Sequence, residues 1–160
     1  MSTQARMYGY GLWAALSGVI AWGTLSKCKV ALMKNTYSPN QDTDEKWEDI
    51  SAYEIVSGGG YTAGGQAITW VGAALSYSAD ATPGGILSLL GDDVTWASLT
   101  KSGANAVRSA VVYYDNGSGY SQPLIGYVLW DADITLAAES FTIAWASGVV
   151  GKIGLEGSTP

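Results

Sequence analysis

Alternation of apolar and polar residues is the main pattern along this chain, and it predicts strands at close intervals. The clearest run spans residues 105–115, where Val107, Val111 and Tyr113 share one face of a predicted strand. A second run of strand length covers residues 122–130, after a short Asn-Gly-Ser-Gly segment at 116–119. Two such runs joined by a short glycine-containing loop indicate a β-hairpin.

The same pattern predicts further strands at residues 24–35, 66–80, 86–90, 94–96, 140–145 and 148–155. Turns are expected between them at residues 81–85, 91–93 and 131–133, where Gly, Pro and Asp concentrate. In residues 24–35, Cys28, Val30 and Leu32 form an apolar face opposite a mixed face that includes Met33, so Cys28 is expected to be a buried free thiol. Residues 66–80 are apolar on both faces, which predicts a strand covered on both sides.

Helical spacing is confined to the N-terminal part of the chain. Residues 5–21 are predicted to form a helix, because these residues share one apolar face: Leu12, Leu16, Val19 and Ile20. Trp13 and Trp22 flank that face. Residues 7–26 carry no charged side chain, so a membrane span or a secretory signal is the alternative. Glycine and hydroxyl residues dilute the apolar character, and the helix is therefore favoured.

Together these elements predict one domain over residues 1–160 that is mainly β. The fold class is an antiparallel β-sandwich or barrel of about six to eight strands with one N-terminal α-helix. Residues 1–22 would hold the helix, residues 23–156 the β domain, and residues 157–160 a loose tail.

A glycine-rich block lies at the centre of the chain, around Tyr61. Its glycines are Gly58, Gly59, Gly60, Gly64 and Gly65. A phosphate-binding loop would need a Lys-Ser/Thr ending or a following helix, and here a strand pattern follows. The block is therefore predicted to be a structural turn with several residues at positive φ.

Residues 37–54 form an acidic connection with Trp47 as its one large apolar residue. Asn40, Asp42 and Asp44 could suggest a calcium loop, but the spacing of an EF-hand is not met. A solvated loop with a helical turn at residues 45–49 is favoured. Adjacent Asp92 and Asp93 could suggest acid–base catalysis, but neighbours on an extended chain point apart, so turn chemistry is preferred.

Composition narrows the function classes. The net charge of −6 disfavours nucleic-acid binding, and the absence of histidine removes Ser-His and Cys-His catalysis and the usual zinc sites. We therefore predict no catalytic residues, no cofactor and no bound metal. Charged residues make up only 14% of the chain. Its aromatic residues are Trp 7, Tyr 10 and Phe 1, so most of its rings carry a polar group. Aromatic rings with a polar group are enriched at protein interfaces, which favours an oligomer or a larger assembly.

Several segments resemble a family of small virion proteins encoded among the head genes of tailed bacteriophages. The residues that carry the resemblance, in chain order, are Lys29-Val30-Ala31-Leu32, Tyr37-Ser38-Pro39-Asn40-Gln41-Asp42-Thr43-Asp44, Trp47-Glu48-Asp49-Ile50, Glu54-Ile55-Val56, Gly60-Tyr61-Thr62-Ala63-Gly64-Gly65, Asp93-Val94-Thr95-Trp96, Ala110-Val111-Val112-Tyr113, Pro123-Leu124-Ile125-Gly126-Tyr127 and Phe141-Thr142-Ile143-Ala144-Trp145. The sequence departs from the family pattern at Ser57-Gly58-Gly59 and at Trp130-Asp131.

The resemblance implies a structural virion protein, with a capsid decoration protein that binds and stabilises the lattice of the major capsid protein as the first expectation. It would be made in the bacterial host cytoplasm and end on the capsid surface, as a homo-oligomer with a trimer as first expectation. A tail or neck component, or a carbohydrate-binding module on the virion surface, is the alternative. Membrane and nucleic-acid partners are not expected. The candidate interface residues are Trp13, Trp22, Trp47 and Tyr61.

Overall fold

The computed structural model describes residues 3–21, 27–69, 75–79, 85–117, 122–145 and 149–154. This part of the chain is mainly β with antiparallel sheets, as the sequence predicts. Its strands are β1 (Thr3–Met7), β2 (Cys28–Lys34), β3 (Gln66–Ala67), β4 (Leu75–Ala79), β5 (Gly85–Leu90), β6 (Val94–Lys101), β7 (Val107–Tyr114), β8 (Leu124–Ile134), β9 (Leu136–Ile143) and β10 (Val149–Gly154). Its helices are α1 (Gly9–Leu16) and α2 (Trp47–Ile50), with single 3-10 turns at Ser51–Tyr53 and Gly103–Asn105.

The strands form three antiparallel sheets. The largest has the order β1-β8-β7-β2-β3, and the others have the orders β10-β5-β4 and β6-β9. The predicted hairpin of residues 105–115 and 122–130 is confirmed as the β7–β8 pair at the centre of the large sheet. Among the described strands, no sheet closes on itself into a barrel.

Strands β6 to β9 form one long hairpin that is folded in half. The inner half pairs β7 with β8, and the outer half pairs β6 with β9 from Lys101↔Leu136 to Val94↔Ile143, with register shifts within both halves. Between the halves, one side of the hairpin turns at Gly103–Asn105 and the other at Thr135. The outer half packs back over the inner half, so that Trp96 and Leu99 share one core with Val112 and Ile125.

Both faces of the large sheet are covered. Cys28, Val30 and Leu32 face the core beneath the outer half of the hairpin, which confirms the buried, free thiol at Cys28. Burial raises the pKa of this thiol to about 12. The opposite face was expected to be mixed, but Met33 is fully buried there. Residues 37–50 cover that face. This covering could not be predicted from the alternating pattern of β2 alone.

The N-terminal helix is shorter than predicted. Residues 3–7, which the prediction placed partly in the helix, pair with β8 as an edge strand, and α1 has only eight residues. Its buried positions are Gly11 and Ala14, while Leu16 is 77% exposed. A Cβ on Gly11 would lie 2.1 Å from the Leu124 carbonyl oxygen, so the helix backbone itself approaches β8. The predicted apolar face is therefore wrong, except that Ile20 is buried.

Two other predictions are corrected. Residues 66–80 are not one strand: β3 pairs with β2, β4 pairs with β5 in another sheet, and residues 70–74 lie outside the described residues. Residues 131–133 are not a turn but part of β8. There the Asp133 carboxylate accepts hydrogen bonds from Asn35 Nδ2 at 2.7 Å and from Arg108 at 3.3 Å, and does not cap its own backbone.

Other predicted features fall partly outside the described residues. These are Trp22, the turn at residues 81–84, the glycine-containing loop beyond Gly117 and the tail at 157–160. Within the described part of the chain, no helix is long and apolar enough to cross a membrane.

Candidate functional site

The glycine-rich block begins with a two-residue turn at Gly59-Gly60. Gly58 and Tyr61 exchange backbone hydrogen bonds of 2.8 and 3.2 Å, and both central residues have positive φ, 54° and 82°. This is the requirement of a type I′ turn, which glycine meets at the lowest cost. The turn lies on β6, where Thr100 N donates to the Gly59 oxygen at 2.8 Å.

A second turn in the block lies against β2. Gly64 and Gly65 have φ values of 88° and 68°, and a Cβ on Gly65 would lie 2.0 Å from the Val30 oxygen. Gly58 also has positive φ, so the predicted structural turn is confirmed at all of its glycines. The block therefore joins the outer half of the folded hairpin to the large sheet.

Tyr61 connects the two turns. Its side chain is 3% exposed, and its hydroxyl donates to Glu54 Oε1 at 2.7 Å and accepts from Leu32 N at 3.0 Å. Gly64 N also donates to Glu54 Oε1, at 2.7 Å. The backbone N–H groups that could have held a phosphate here hold the carboxylate of Glu54 instead.

Lys101 closes the other side of the block. It is 6% exposed, and its Nζ donates to the Val56 oxygen at 2.5 Å and to the Gly58 oxygen at 2.7 Å. The ammonium also lies 5.7 Å from the centre of the Tyr61 ring, within cation–π range. Burial lowers the pKa of Lys101. The charge is thus used to hold the glycine turn on β6.

The buried carboxylate predicts a pH dependence of stability. Desolvation raises the pKa of Glu54 above its ordinary value of 4.5, and this outweighs the opposing hydrogen bonds from Tyr61, Gly64 and Gly65. Because the folded protein binds this proton more tightly than the unfolded chain does, protonation of Glu54 stabilises the fold. This contribution is complete at pH values below the unfolded-state pKa, and it is lost as the pH rises through the folded-state pKa. We expect the stability of the wild type relative to Glu54→Gln to rise as pH falls from 8 to about 4.5.

Urea unfolding at several pH values measures this difference. The same substitution at Glu139, which is exposed on β9, controls for the loss of one carboxylate. A wild-type advantage over Glu54→Gln that does not change with pH, or that shrinks on acidification, would contradict the assignment.

The acidic segment forms a second internal network. The Asp44 carboxylate accepts from the Tyr37 hydroxyl at 2.8 Å and from Asn40 N at 2.9 Å, and the Tyr37 hydroxyl meets that of Tyr8 at 2.9 Å. Asn40 Oδ1 in turn accepts from Asp42 N at 3.0 Å. These are loop-shaping bonds. Among the described residues, no group of three or more acidic, cysteine or histidine side chains is arranged to hold a metal ion.

The aspartates at 92 and 93 also have structural partners. Asp93 Oδ1 accepts from the backbone N of Trp145 at 2.9 Å, and the Asp92 carbonyl oxygen accepts from Trp145 Nε1 at 3.0 Å. They anchor the segment that follows β9 to the start of β6, so the Asp93 carboxylate makes a long-range bond and not the local turn bond that was preferred for it.

The candidate interface residues do not lie together. Trp47 is 9% exposed and stacks on Tyr113 with ring centres 4.4 Å apart, and Tyr61 is buried as described above. Both are corrected to core residues, because their rings are covered by this chain. Trp13 is 54% exposed, and with Leu16 and Val19 it forms an apolar surface on and just after α1, here called the α1 patch. Trp22 is outside the described residues.

Sequence reasoning missed a polar groove between β1 and the acidic segment. Its lining residues are Gln4, Arg6, Ser38, Pro39, Asn40, Gln41, Asp42 and Tyr127. The groove was not predicted because residues 5–7 were assigned to the helix, which hid their position beside β8. We call this feature the polar groove.

Comparisons with protein-family models, with curated proteins and with solved structures find no match to this chain.

Proposed function

We propose that this chain is a structural virion protein of a tailed bacteriophage, and that it decorates the capsid by binding the lattice of the major capsid protein. The observation that carries the proposal is the α1 patch. Trp13, Leu16 and Val19 are 54%, 77% and 39% exposed, although they are close in sequence and large. Trp13 and Leu16 are three residues apart on α1 and therefore neighbours on its surface. Clustered exposed apolar side chains are typical of surfaces that bind another protein.

The use of polar side chains supports a structural role over an enzymatic one. Glu54, Lys101 and Asp44 are each engaged in bonds that hold the fold. The chain also lacks histidine, the most common general base. The sequence resemblance described above supplies the virion context and the major capsid protein as partner. A tail or neck position is the alternative within the virion.

We also propose that the chain forms a homo-oligomer, with a trimer as the first expectation. The composition supports self-association, since only 14% of residues are charged. Closed cyclic symmetry is the usual form of such assemblies, and three-fold positions recur on an icosahedral shell. Light scattering on the purified protein measures this directly, and a monomer at all concentrations tested would refute it.

Binding to heads that lack this protein tests the capsid proposal. Heads from a phage with the corresponding gene deleted are mixed with purified protein, and the bound fraction is measured after sedimentation. We expect the wild type to bind and the double variant Trp13→Ser/Leu16→Ser to bind at least about tenfold more weakly, because an exposed aromatic anchor carries much of the energy of such contacts.

The matched control is Tyr53→Ser/Val56→Ser, which removes two other exposed apolar side chains, 42% and 55% exposed, at the end of the 3-10 turn Ser51–Tyr53 and just after it. It should bind as the wild type does. Equal loss in both double variants would remove α1 from the interface. An averaged virion image with density for this protein on the tail or neck would replace the capsid assignment.

A further inference from the structure

We propose that the polar groove binds a neutral saccharide. This inference does not depend on capsid binding, because the groove lies on β1 and the acidic segment and shares none of its lining residues with the α1 patch. Its starting point is a hydroxyl group that opens into the groove. Tyr127 is 7% exposed and lines the groove, and its hydroxyl bonds to no other residue in the described ranges. The hydroxyl oxygen is not one of the buried polar atoms without a partner, so it is accessible from the groove and can bond to a ligand there.

The side chains that line the groove have hydrogen-bond donors and acceptors that are not used within the protein. Arg6 makes one long hydrogen bond, from NH1 to Gln41 Oε1 at 3.4 Å, and neither Arg6 nor Asp42 has an ion-pair partner within the part of the chain that is described. The amides of Gln4 and Gln41 add neutral donors and acceptors. A ligand can therefore find donors and acceptors side by side.

The charge of the groove selects among ligand classes. Arg6 and Asp42 cancel in formal charge, so a phosphate or sulfate would meet the Asp42 carboxylate and a cation would meet the Arg6 guanidinium. A sugar ring carries neighbouring hydroxyl groups, each both donor and acceptor, and matches a neutral set of carboxylate, guanidinium and amide groups.

The wall of the groove is held before any ligand binds. Asp44 fixes Asn40 N at 2.9 Å, Asp42 N bonds to Asn40 Oδ1, and Gly9 N donates to the Gln41 oxygen at 3.3 Å. On the floor, Tyr8 packs against Tyr127 with ring centres 5.2 Å apart. Preorganisation of this kind reduces the entropy lost on binding.

An extended peptide is the main competing occupant, because β1 is the outer strand of the large sheet and could pair with another strand. Such a peptide would bond to the backbone along the edge of β1. It would leave the Tyr127 hydroxyl and the Asp42 carboxylate unused, so these groups favour the saccharide.

A titration followed by amide NMR tests the inference. The probes are glucose, galactose, N-acetylglucosamine and lactose, each added up to about 50 mM, since an open groove of this kind is expected to bind with a Kd on the order of 1 mM. We expect at least one of them to shift the amide signals of residues 38–42 and of β1. Asp42→Asn and Arg6→Gln should each weaken that binding about tenfold, whereas Glu139→Gln, which removes a carboxylate on β9, should not.

Three results would overturn the proposal. The first is that none of the four sugars shifts the groove signals. The second is that a sugar binds equally well to Asp42→Asn, whose fold is verified by its amide spectrum. The third is that the groove responds only to inorganic phosphate or only to an extended alanine-rich peptide, which would assign it to an anion or to strand pairing.

Discussion

Replacing Gly65 with alanine is expected to destabilise the protein by about 3 kcal/mol or more. Gly65 has a φ of 68°, and the added Cβ would lie 2.0 Å from the Val30 oxygen and 2.8 Å from the Ala31 Cα. Both of these atoms are backbone atoms of β2, an interior strand of the large sheet, so they cannot rotate away as a side chain can. Either β2 or the glycine turn must move, and the bonds from Tyr61 and Gly64 to Glu54 would be strained.

Gly103→Ala is the control that separates two effects of Gly65→Ala, the steric contact of the new Cβ with β2 and the strain of an alanine at positive φ. Gly103 has a similar φ of 58°, but a Cβ there meets nothing within 4 Å. Its substitution should cost only the price of a left-handed residue, about 1–2 kcal/mol. Urea unfolding of both variants gives the comparison. Equal losses would show that the close approach to Val30 is relieved without cost, and that the glycine block does not fix the distance between the turn and β2.

The glycine block and the central hairpin are the parts of the fold that could be predicted from sequence, because local chemistry dictates them. Consecutive glycines demand a turn, and an alternating run demands a strand, wherever they lie. The tertiary contacts of the glycine block could not be predicted from local sequence chemistry. That Gly60 and Gly65 each approach a strand backbone depends on β6 and β2, which lie far from them in sequence.

The N-terminal segment shows why the remainder was missed. Residues 3–7 pair with β8, more than a hundred residues away, and a helical pattern in Leu12 and Leu16 is outweighed by the close approach of Gly11 to Leu124. The acidic segment is a related case, because the burial of Trp47 depends on its stacking on Tyr113, which lies far away in the sequence. Ala138, with a φ of 59°, carries no sequence signal for the left-handed conformation it adopts in β9.

The two candidate sites differ in the same respect, since one lies in a single short segment and the other is assembled from distant parts of the chain. For the α1 patch, the sequence predicted Trp13 as an interface residue, because Trp13 and the apolar positions beside it lie in one short segment. The polar groove was not, since Arg6, Asp42 and Tyr127 come from three separated parts of the chain. Sites assembled by distant strand pairing require the topology before they can be recognised.

The folded hairpin is expected to depend on Trp96 more than on any other single side chain of its outer half. Trp96 is 1% exposed and lies between the rings of Tyr61 and Phe141, with centres 6.1 and 6.2 Å away. It therefore links the glycine block to β9. Trp96→Ala should lower the free energy of unfolding by about 3–5 kcal/mol, through lost burial and the cavity that remains.

Two further tryptophan variants make this expectation specific. Trp13→Ala, at a side chain that is 54% exposed, should change the stability of the isolated protein by only about 0.5 kcal/mol. Trp96→Phe should cost less than Trp96→Ala, because it keeps most of the ring volume. It also removes the indole Nε1–H, which is buried without a hydrogen-bond partner in the described residues. If Trp96→Ala and Trp13→Ala unfold at the same urea concentration, the outer half of the hairpin does not pack on the large sheet through Trp96.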